Sequence, residues 1–66
     1  MNLKIDGKAD ALYLKLDDSK IVESEEVSAG VVLDYNEQNQ VVGVEILNLS
    51  KRSPKLNLGE FQFQTT

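Results

Sequence analysis

The stretch VVLDYNEQNQVVGVEILNLS, from Val31 to Ser50, decides the fold of this chain. Two runs rich in β-branched residues, 31–35 and 41–47, flank a polar turn at 36–40. β-Branched residues favour strands, and a short polar turn between two such runs is typical of a hairpin. Asn39 is the expected left-handed residue of the turn, because asparagine adopts positive φ more readily than most residues. The stretch therefore predicts an antiparallel hairpin.

Alternating apolar and polar residues extend the strand pattern toward the N-terminus. The alternation predicts strands at 2–6, 11–16 and 25–28, with a turn that begins at Asp6-Gly7 between the first two. Side chains two positions apart share a face of a strand, so the apolar positions define one side of a sheet. This predicted core comprises Leu3, Ile5, Leu12, Leu14, Leu16, Leu33, Val42, Val44 and Ile46.

The fold class predicted from these elements is mainly β with an α+β margin. We expect a small antiparallel meander sheet of four to six strands with one short helical turn near residues 48–52, capped by Asn48. The sixth strand would lie at 56–63, where apolar residues alternate again. Residues 1–66 would then form a single small β-rich domain, with residues 53–66 as a docking strand or arm.

Gly43 interrupts the second strand of the hairpin, where a residue without a side chain leaves a gap. A glycine inside a strand is expected where another group approaches the backbone closely. The sequence offers two large side chains for this role, Tyr13 and Tyr35, and we expect one of them to fill the gap.

Composition limits the chemistry that this chain can perform. The 66 residues include no cysteine and no histidine, which excludes disulfides, thiolate chemistry and Cys/His zinc sites. The net charge of −4 repels phosphate backbones, so we expect no nucleic-acid partner. No apolar run approaches the ~18 residues that span a bilayer, and residues 1–10 lack the apolar core of a secretory signal. We therefore expect a cytoplasmic protein with no membrane partner.

Carboxylates provide the only candidates for a chemical site. Asp34 and Glu45 fall on paired strands, opposite the apolar stripe, and with Asp10 they are the metal-site candidates because carboxylate oxygens hold hard cations. We expect them instead to bond backbone amides in turns or to face solvent, and so no metal site, because hard cations take six or more oxygen ligands. The acidic patch at 23–26 is interpreted as a solvated loop or edge strand. Since no nucleophile–base pair accompanies them, we expect no catalytic residue, no cofactor and no enzyme activity.

Three parts of the chain together resemble a known family. The segments ADALYLKL (9–16) and GVVLDYNEQNQVVGVEIL (30–47), followed by Ser50, resemble DUF2283, a small bacterial and archaeal family of unknown function. The matching positions are Asp10, Leu12, Tyr13, Leu14, Gly30, Val31, Val32, Leu33, Asp34, Tyr35, Gly43, Val44, Glu45, Ile46, Leu47 and Ser50. Where the family usually has a turn glycine, this chain has Asn39, and its tail alternates like a strand where members often look helical.

The resemblance implies a compact β-rich fold and brings no established reaction. Members resemble partner proteins in small two-component operons, some of which have toxin-like neighbours. It thus implies an antitoxin-like neutraliser of a basic partner as one alternative function. A metal- or small-molecule-binding protein that uses the acidic cluster is the other alternative.

An open sheet face predicts self-association. A single sheet must cover its apolar face, and two-fold homodimers are the commonest assembly that can do so. We therefore expect a non-catalytic protein-interaction module that acts as a homodimer. The interface is expected to involve the sheet face or the aromatic tail, and its candidate residues are Tyr13, Tyr35, Phe61 and Phe63.

Overall fold

The computed structural model describes residues 1–52 and 64–65 and shows five strands and one short helix in them. These elements are β1 (Asn2–Asp6), β2 (Ala11–Lys15), β3 (Glu23–Ser28), β4 (Val31–Tyr35), β5 (Val41–Ile46) and α1 (Leu49–Arg52). The strands form one antiparallel sheet in the order β1-β2-β5-β4-β3. The predicted fold class is therefore confirmed. The sixth strand predicted at 56–63 and the docking arm at 53–66 fall on residues of which only 64–65 are described.

The strand order joins two local units through one long-range pairing. β1 and β2 form a hairpin, β3 to β5 follow one another as a meander, and β2 pairs with β5. The connection 16–22 therefore carries the chain from β2 past the β4–β5 turn to the far edge of the sheet. Both of its ends are held by backbone hydrogen bonds, from the Leu16 amide to the Val42 carbonyl at 2.8 Å and from the Val22 amide to the Tyr35 carbonyl at 2.9 Å.

The β4–β5 turn has the predicted left-handed residue. Asn39 has φ 62°, and its amide donates to the Asn36 carbonyl at 3.0 Å. The side chain of Asn36 holds the turn from inside: it is 5% exposed, and its Oδ1 accepts the amides of Gln38 and Gln40, both at 3.0 Å. A buried amide side chain that satisfies two backbone donors fixes the turn, because those donors would otherwise be orphaned.

Asn39→Val is expected to lower the free energy of unfolding by about 1–2 kcal/mol, because a β-branched residue at positive φ is strained. Urea unfolding followed by circular dichroism gives the value. Asn39→Gly is the matched control, since glycine adopts this conformation without strain. A valine variant as stable as the glycine variant would show that position 39 is not left-handed in solution.

The register gives the sheet one apolar and one polar face, because directly paired residues of antiparallel strands project to the same side. On the apolar face, two rows cross the strands in sheet order: Leu3, Leu14, Val44, Leu33 and Glu25, and then Ile5, Leu12, Ile46, Val31 and Ser28. On the polar face, the rows are Lys4, Tyr13, Glu45, Val32 and Glu26, and then Asn2, Lys15, Gly43, Asp34 and Ser24.

The predicted core residues in these rows share the apolar face, but most of them are only half-buried. Val42 is 2% exposed, whereas Ile5 is 36% exposed. The other buried hydrophobic side chains of the described residues, Ala11 and Leu49, were not predicted as core. The reason is that the described residues form a single layer, and one sheet cannot bury its own face.

The acidic patch forms part of an edge strand. β3 is the last strand of the sheet, and all six of its residues are exposed. The interpretation of these glutamates as a charged edge is confirmed; charge at such an edge discourages pairing with another chain. β3 begins at Glu23, two residues before its predicted start, while the other four strands match their predicted bounds within one residue.

Candidate functional site

A hydrogen-bonded row on the polar face connects four strands. It consists of Gly43 on β5, Asp34 on β4 and Ser24 on β3, together with Tyr13, which reaches it from the adjacent row on β2; we call this set the Asp34 row. The Tyr13 hydroxyl donates to Asp34 Oδ2 at 3.0 Å, and the Ser24 hydroxyl donates to Asp34 Oδ1 at 2.6 Å. Asp34 is 9% exposed, so these two donors replace the water that its carboxylate gives up.

Gly43 makes room for this row. A Cβ at position 43 would lie 2.6 Å from Tyr13 Oη and 2.9 Å from Asp34 Oδ2, closer than side-chain atoms tolerate. The expectation that a tyrosine fills the gap over Gly43 is confirmed for Tyr13. Tyr35 alternates with Asp34 along β4 and so lies on the other face. An aromatic ring laid over a strand glycine restores packing that the missing side chain would have provided.

The environment of the row favours a neutral Tyr13. Burial raises the pKa of its hydroxyl above the ordinary value of 10.0, and the hydrogen bond to Asp34 raises it further. The negative charges of Asp34 and Glu45 act on this pKa in the same direction. Tyr13 is thus held as a hydrogen-bond donor, the role that its bond to a carboxylate requires.

Alkaline pH is expected to destabilise the protein through Tyr13. Because the pKa of Tyr13 is higher in the folded protein, the tyrosine of the unfolded chain loses its proton first as the pH rises. The stabilisation that neutral Tyr13 provides is therefore complete below about pH 10 and is lost as the pH rises through the folded pKa. Urea unfolding from about pH 8 to about pH 11 should therefore show a steeper loss of stability for the wild type than for Tyr13→Phe. Parallel pH profiles for the two proteins would contradict this prediction.

The three metal-site candidates lie in two different environments. Asp34 and Glu45 are on the polar face of neighbouring strands, as predicted. Asp10 lies in the β1–β2 turn, and its carboxylate accepts from Ser50. Among residues 1–52 and 64–65, no three acidic, histidine or cysteine side chains are grouped so that they could hold a metal ion. Asp34 and Asp10 instead have structural hydrogen-bond partners.

Asp10, and not Asn48, provides the side chain that caps α1. The Leu49 amide donates to the Asp10 carbonyl at 3.0 Å, and the Ser50 amide and hydroxyl donate to its carboxylate at 3.1 Å and 2.7 Å. The predicted Asn48 cap is wrong, because Asn48 has φ 56°, whereas a capping residue usually has an extended backbone. Asp10 itself has φ 53°, so it is the left-handed residue of the β1–β2 turn.

Asp10→Ala is expected to cost about 1–2 kcal/mol of unfolding free energy, the usual effect of removing a helix-capping carboxylate. Ser50→Ala is the control with a smaller expected effect, because it removes only the hydroxyl and keeps the hydrogen bond from the Ser50 backbone amide to Asp10. We expect it to lower the free energy of unfolding by about 0.5–1 kcal/mol. Urea unfolding of both variants tests the order. A larger loss for Ser50→Ala than for Asp10→Ala would contradict the capping role.

Arg52 fixes the other end of α1 to the sheet. Its Nε donates to the Leu47 carbonyl at 3.0 Å, and its Nη2 donates to the Ala29 carbonyl in the β3–β4 turn. Gly30 makes this approach possible, since a Cβ there would lie 2.6 Å from Arg52 Nη2. Sequence reasoning missed this contact. The one sequence feature that could have indicated it is the run of small residues at 28–30, which leaves space for a large side chain.

A shallow depression of about 270 Å³ lies beside the Asp34 row on the polar face. Its lining includes Lys4, Asp6, Ala11, Tyr13 and Glu45.

The interface candidates are divided between the faces: Tyr13 is on the polar face and Tyr35 on the apolar face. Phe61 and Phe63 lie outside the described residues, so their interface role stays a prediction.

Together these features define a small antiparallel β protein whose residues 1–52 form one amphipathic sheet with a short helix. Residues 2–50 match the model of a family described as "Protein of unknown function (DUF2283)", and the chain belongs to that family. The resemblance seen at residues 9–50 is thereby confirmed. No curated protein and no solved structure matches the chain. No helix in the described part of the chain is long and apolar enough to cross a membrane.

Proposed function

We propose that this protein is a non-catalytic interaction module that acts in the cytoplasm as a homodimer, with the apolar face of the sheet as the interface. One observation carries the proposal: two rows of apolar side chains cross four strands, and most of them are only half-buried. A contiguous apolar patch on a small protein marks an interaction site, because exposed apolar surface is costly in water.

The small size of the chain supports a permanent partner. A chain of about 60 residues buries only about 60% of the surface that its unfolded form exposes, so its own core stabilises it weakly. Covering the apolar face would add to that core, and small proteins often use oligomerisation for this purpose. In the proposed interface, β4 would contribute Tyr35, Leu33 and Val31, which lie on the apolar face.

The polar groups support a role without catalysis. The Asp34 carboxylate accepts from Tyr13 and Ser24, and the Asp10 carboxylate accepts from Ser50. Carboxylates that are occupied by structural donors are poorly placed to transfer protons to a substrate, because a general base must reach the reacting group. Their hydrogen bonds hold strands and the helix in place instead.

Light scattering coupled to size-exclusion chromatography tests the proposal at micromolar concentration. A mass of twice the 7.4 kDa chain is expected. A monomer mass, with the far-ultraviolet spectrum of a folded β protein, would overturn the homodimer. The interaction role is tested separately by affinity capture of the tagged protein from its native cells, followed by mass spectrometry; recovery of the homo-oligomer alone would count against a partner.

A basic protein partner is the second candidate, and the exposed glutamates of β3 favour it. Glu23, Glu25 and Glu26 lie on one exposed edge strand of a chain with a net charge of −4. Complementary charge speeds encounter and selects partners, so an antitoxin-like neutraliser would present such an edge to a basic surface. Capture of one dominant basic protein in equal amount would support this candidate, and salt-insensitive capture would contradict it.

A further inference from the structure

We propose that α1 is a strap that ties two turns of the sheet together and opens as one unit while the sheet stays folded. One end of the strap is anchored to the β1–β2 turn through Asp10, and the other end is anchored to the β3–β4 turn through Ala29. The contacts that carry this proposal lie within one chain, so it does not depend on the proposed homodimer.

The course of α1 across the end of the sheet makes it a link between the two turns. β5 lies between β2 and β4, so it separates the β1–β2 turn from the β3–β4 turn. The chain leaves β5 at this end, and α1 then spans the gap: the Leu49 amide donates to the Asp10 carbonyl at 3.0 Å, and Arg52 Nη2 donates to the Ala29 carbonyl. Two turns that a strand holds apart are therefore joined through α1.

The helix is too short to be stable without these anchors. It has four residues, and isolated helices shorter than about 12 residues are marginal in water. The Lys51 and Arg52 amides both donate to the Asn48 carbonyl at 3.1 Å, and Leu49 is the buried residue of the helix. A single turn that depends on contacts at both of its ends has no stable half-formed state. We therefore expect the loss of either anchor to release the whole strap.

The anchors are of a kind that opens more easily than the sheet. The hydrogen bonds from Ser50 to Asp10 and from Arg52 to the Leu47 carbonyl are exposed, so water competes for their donors and acceptors. Asp10 and Asn48 have φ values of 53° and 56°, a conformation that residues other than glycine adopt at a cost. Segments with exposed hydrogen bonds and few buried side chains open at lower free energy than core strands.

The strap gives the fold a second state and couples its two turns. In the open state Leu49 is exposed and α1 is free of both turns, while the five strands remain paired. A ligand that binds the β1–β2 turn and displaces Ser50 from Asp10 would thereby also release Arg52 from the β3–β4 turn. Since coupling of this kind is reciprocal, an event at the β3–β4 turn would act on Asp10 in the same way.

Hydrogen exchange followed by nuclear magnetic resonance on the full chain tests the strap, because each anchor can be removed and the opposite end observed. Arg52→Ala should accelerate exchange of the Leu49 and Ser50 amides at least about fivefold, although these amides donate to Asp10 and not to Arg52. Asp10→Ala should accelerate exchange of the Arg52 Nε–H by a similar factor. That proton gives one unambiguous signal, since Arg52 is the single arginine of the chain.

Lys51→Ala is the matched control, because it removes a positive charge from the same helix and keeps both anchors. We expect it to change exchange of the Leu49 and Ser50 amides less than about twofold. The amides of β5 should likewise change less than about twofold in every variant, since the sheet stays paired in the open state.

Three results would overturn the strap. Unchanged exchange of the Leu49 and Ser50 amides in Arg52→Ala would show that the two ends open separately. Equal acceleration in β5 would show that α1 opens only when the sheet unfolds. An effect of Lys51→Ala as large as that of Arg52→Ala would assign the change to charge and not to the anchor. If Asp10→Ala does not fold, Ser50→Ala weakens the same anchor, and the Arg52 Nε–H is again observed.

Discussion

Gly43→Val is expected to lower the free energy of unfolding by about 2–6 kcal/mol. A Cβ alone would lie 2.6 Å from Tyr13 Oη and 2.9 Å from Asp34 Oδ2, and valine adds two methyl groups. Overpacking of this kind costs about 1–3 kcal/mol. Displacing the tyrosine also leaves Asp34 without one of its donors, which adds about 1–3 kcal/mol and brings the sum to the expected range. Urea unfolding with circular dichroism measures the loss.

A double-mutant cycle assigns this loss to the Tyr13 contact. Gly43→Ala should be destabilising by about 1–2 kcal/mol, and Tyr13→Phe by about 1 kcal/mol. Their combination should cost less than the sum, because phenylalanine lacks the hydroxyl that lies nearest to the new methyl group. Strictly additive losses would show that Tyr13 does not lie over position 43. If Gly43→Ala instead stabilised the protein, because alanine has the higher strand propensity, the close packing over position 43 would be contradicted.

Leu14→Glu is expected to abolish the dimer and to lower stability by about 2–4 kcal/mol. Leu14 lies near the middle of the apolar face, paired with Leu3 on one side and Val44 on the other. About 2 kcal/mol comes from the lost burial of leucine. The remainder is the stabilisation by the dimer, which is lost because the carboxylate could enter the interface only by giving up its water. Light scattering measures the mass, and urea unfolding measures the stability at several protein concentrations, because dimer stability depends on concentration.

Lys15→Glu is the matched control for that experiment. It places the same side chain on the same strand, one position further along and on the polar face. Its contact with Asp18 is a surface ion pair, and such pairs contribute little. We expect the dimer mass to be kept in this variant. Dissociation by both changes would show that net charge, and not the apolar face, controls assembly.

Most of the fold follows from local patterns in the sequence. The alternation of apolar residues gave four of the five strands to within one residue, and the exception, the start of β3 at Glu23, lies in a run of acidic residues without alternation. Asn39 could be predicted as the left-handed residue of its turn, because that requirement depends only on the residues of the turn itself. The sequence predicts Asn48 as the helix cap because asparagine is common at that position. The positive φ of Asn48 excludes this role, and the side chain of Asp10, from the β1–β2 turn, caps the helix instead.

The sequence by itself determined the strands, the turn at Asn39, the division of the sheet into an apolar and a polar face, and the family. These properties depend on neighbouring residues, whose spacing can be read directly. Only the tertiary structure decided that β2 pairs with β5. This pairing brings Tyr13 to Asp34, which is 21 positions away in the sequence. The fold likewise brings Asp10 to Ser50, which is 40 positions away. Contacts over such separations depend on how the strands are ordered in the sheet, and several orders are compatible with the same alternation.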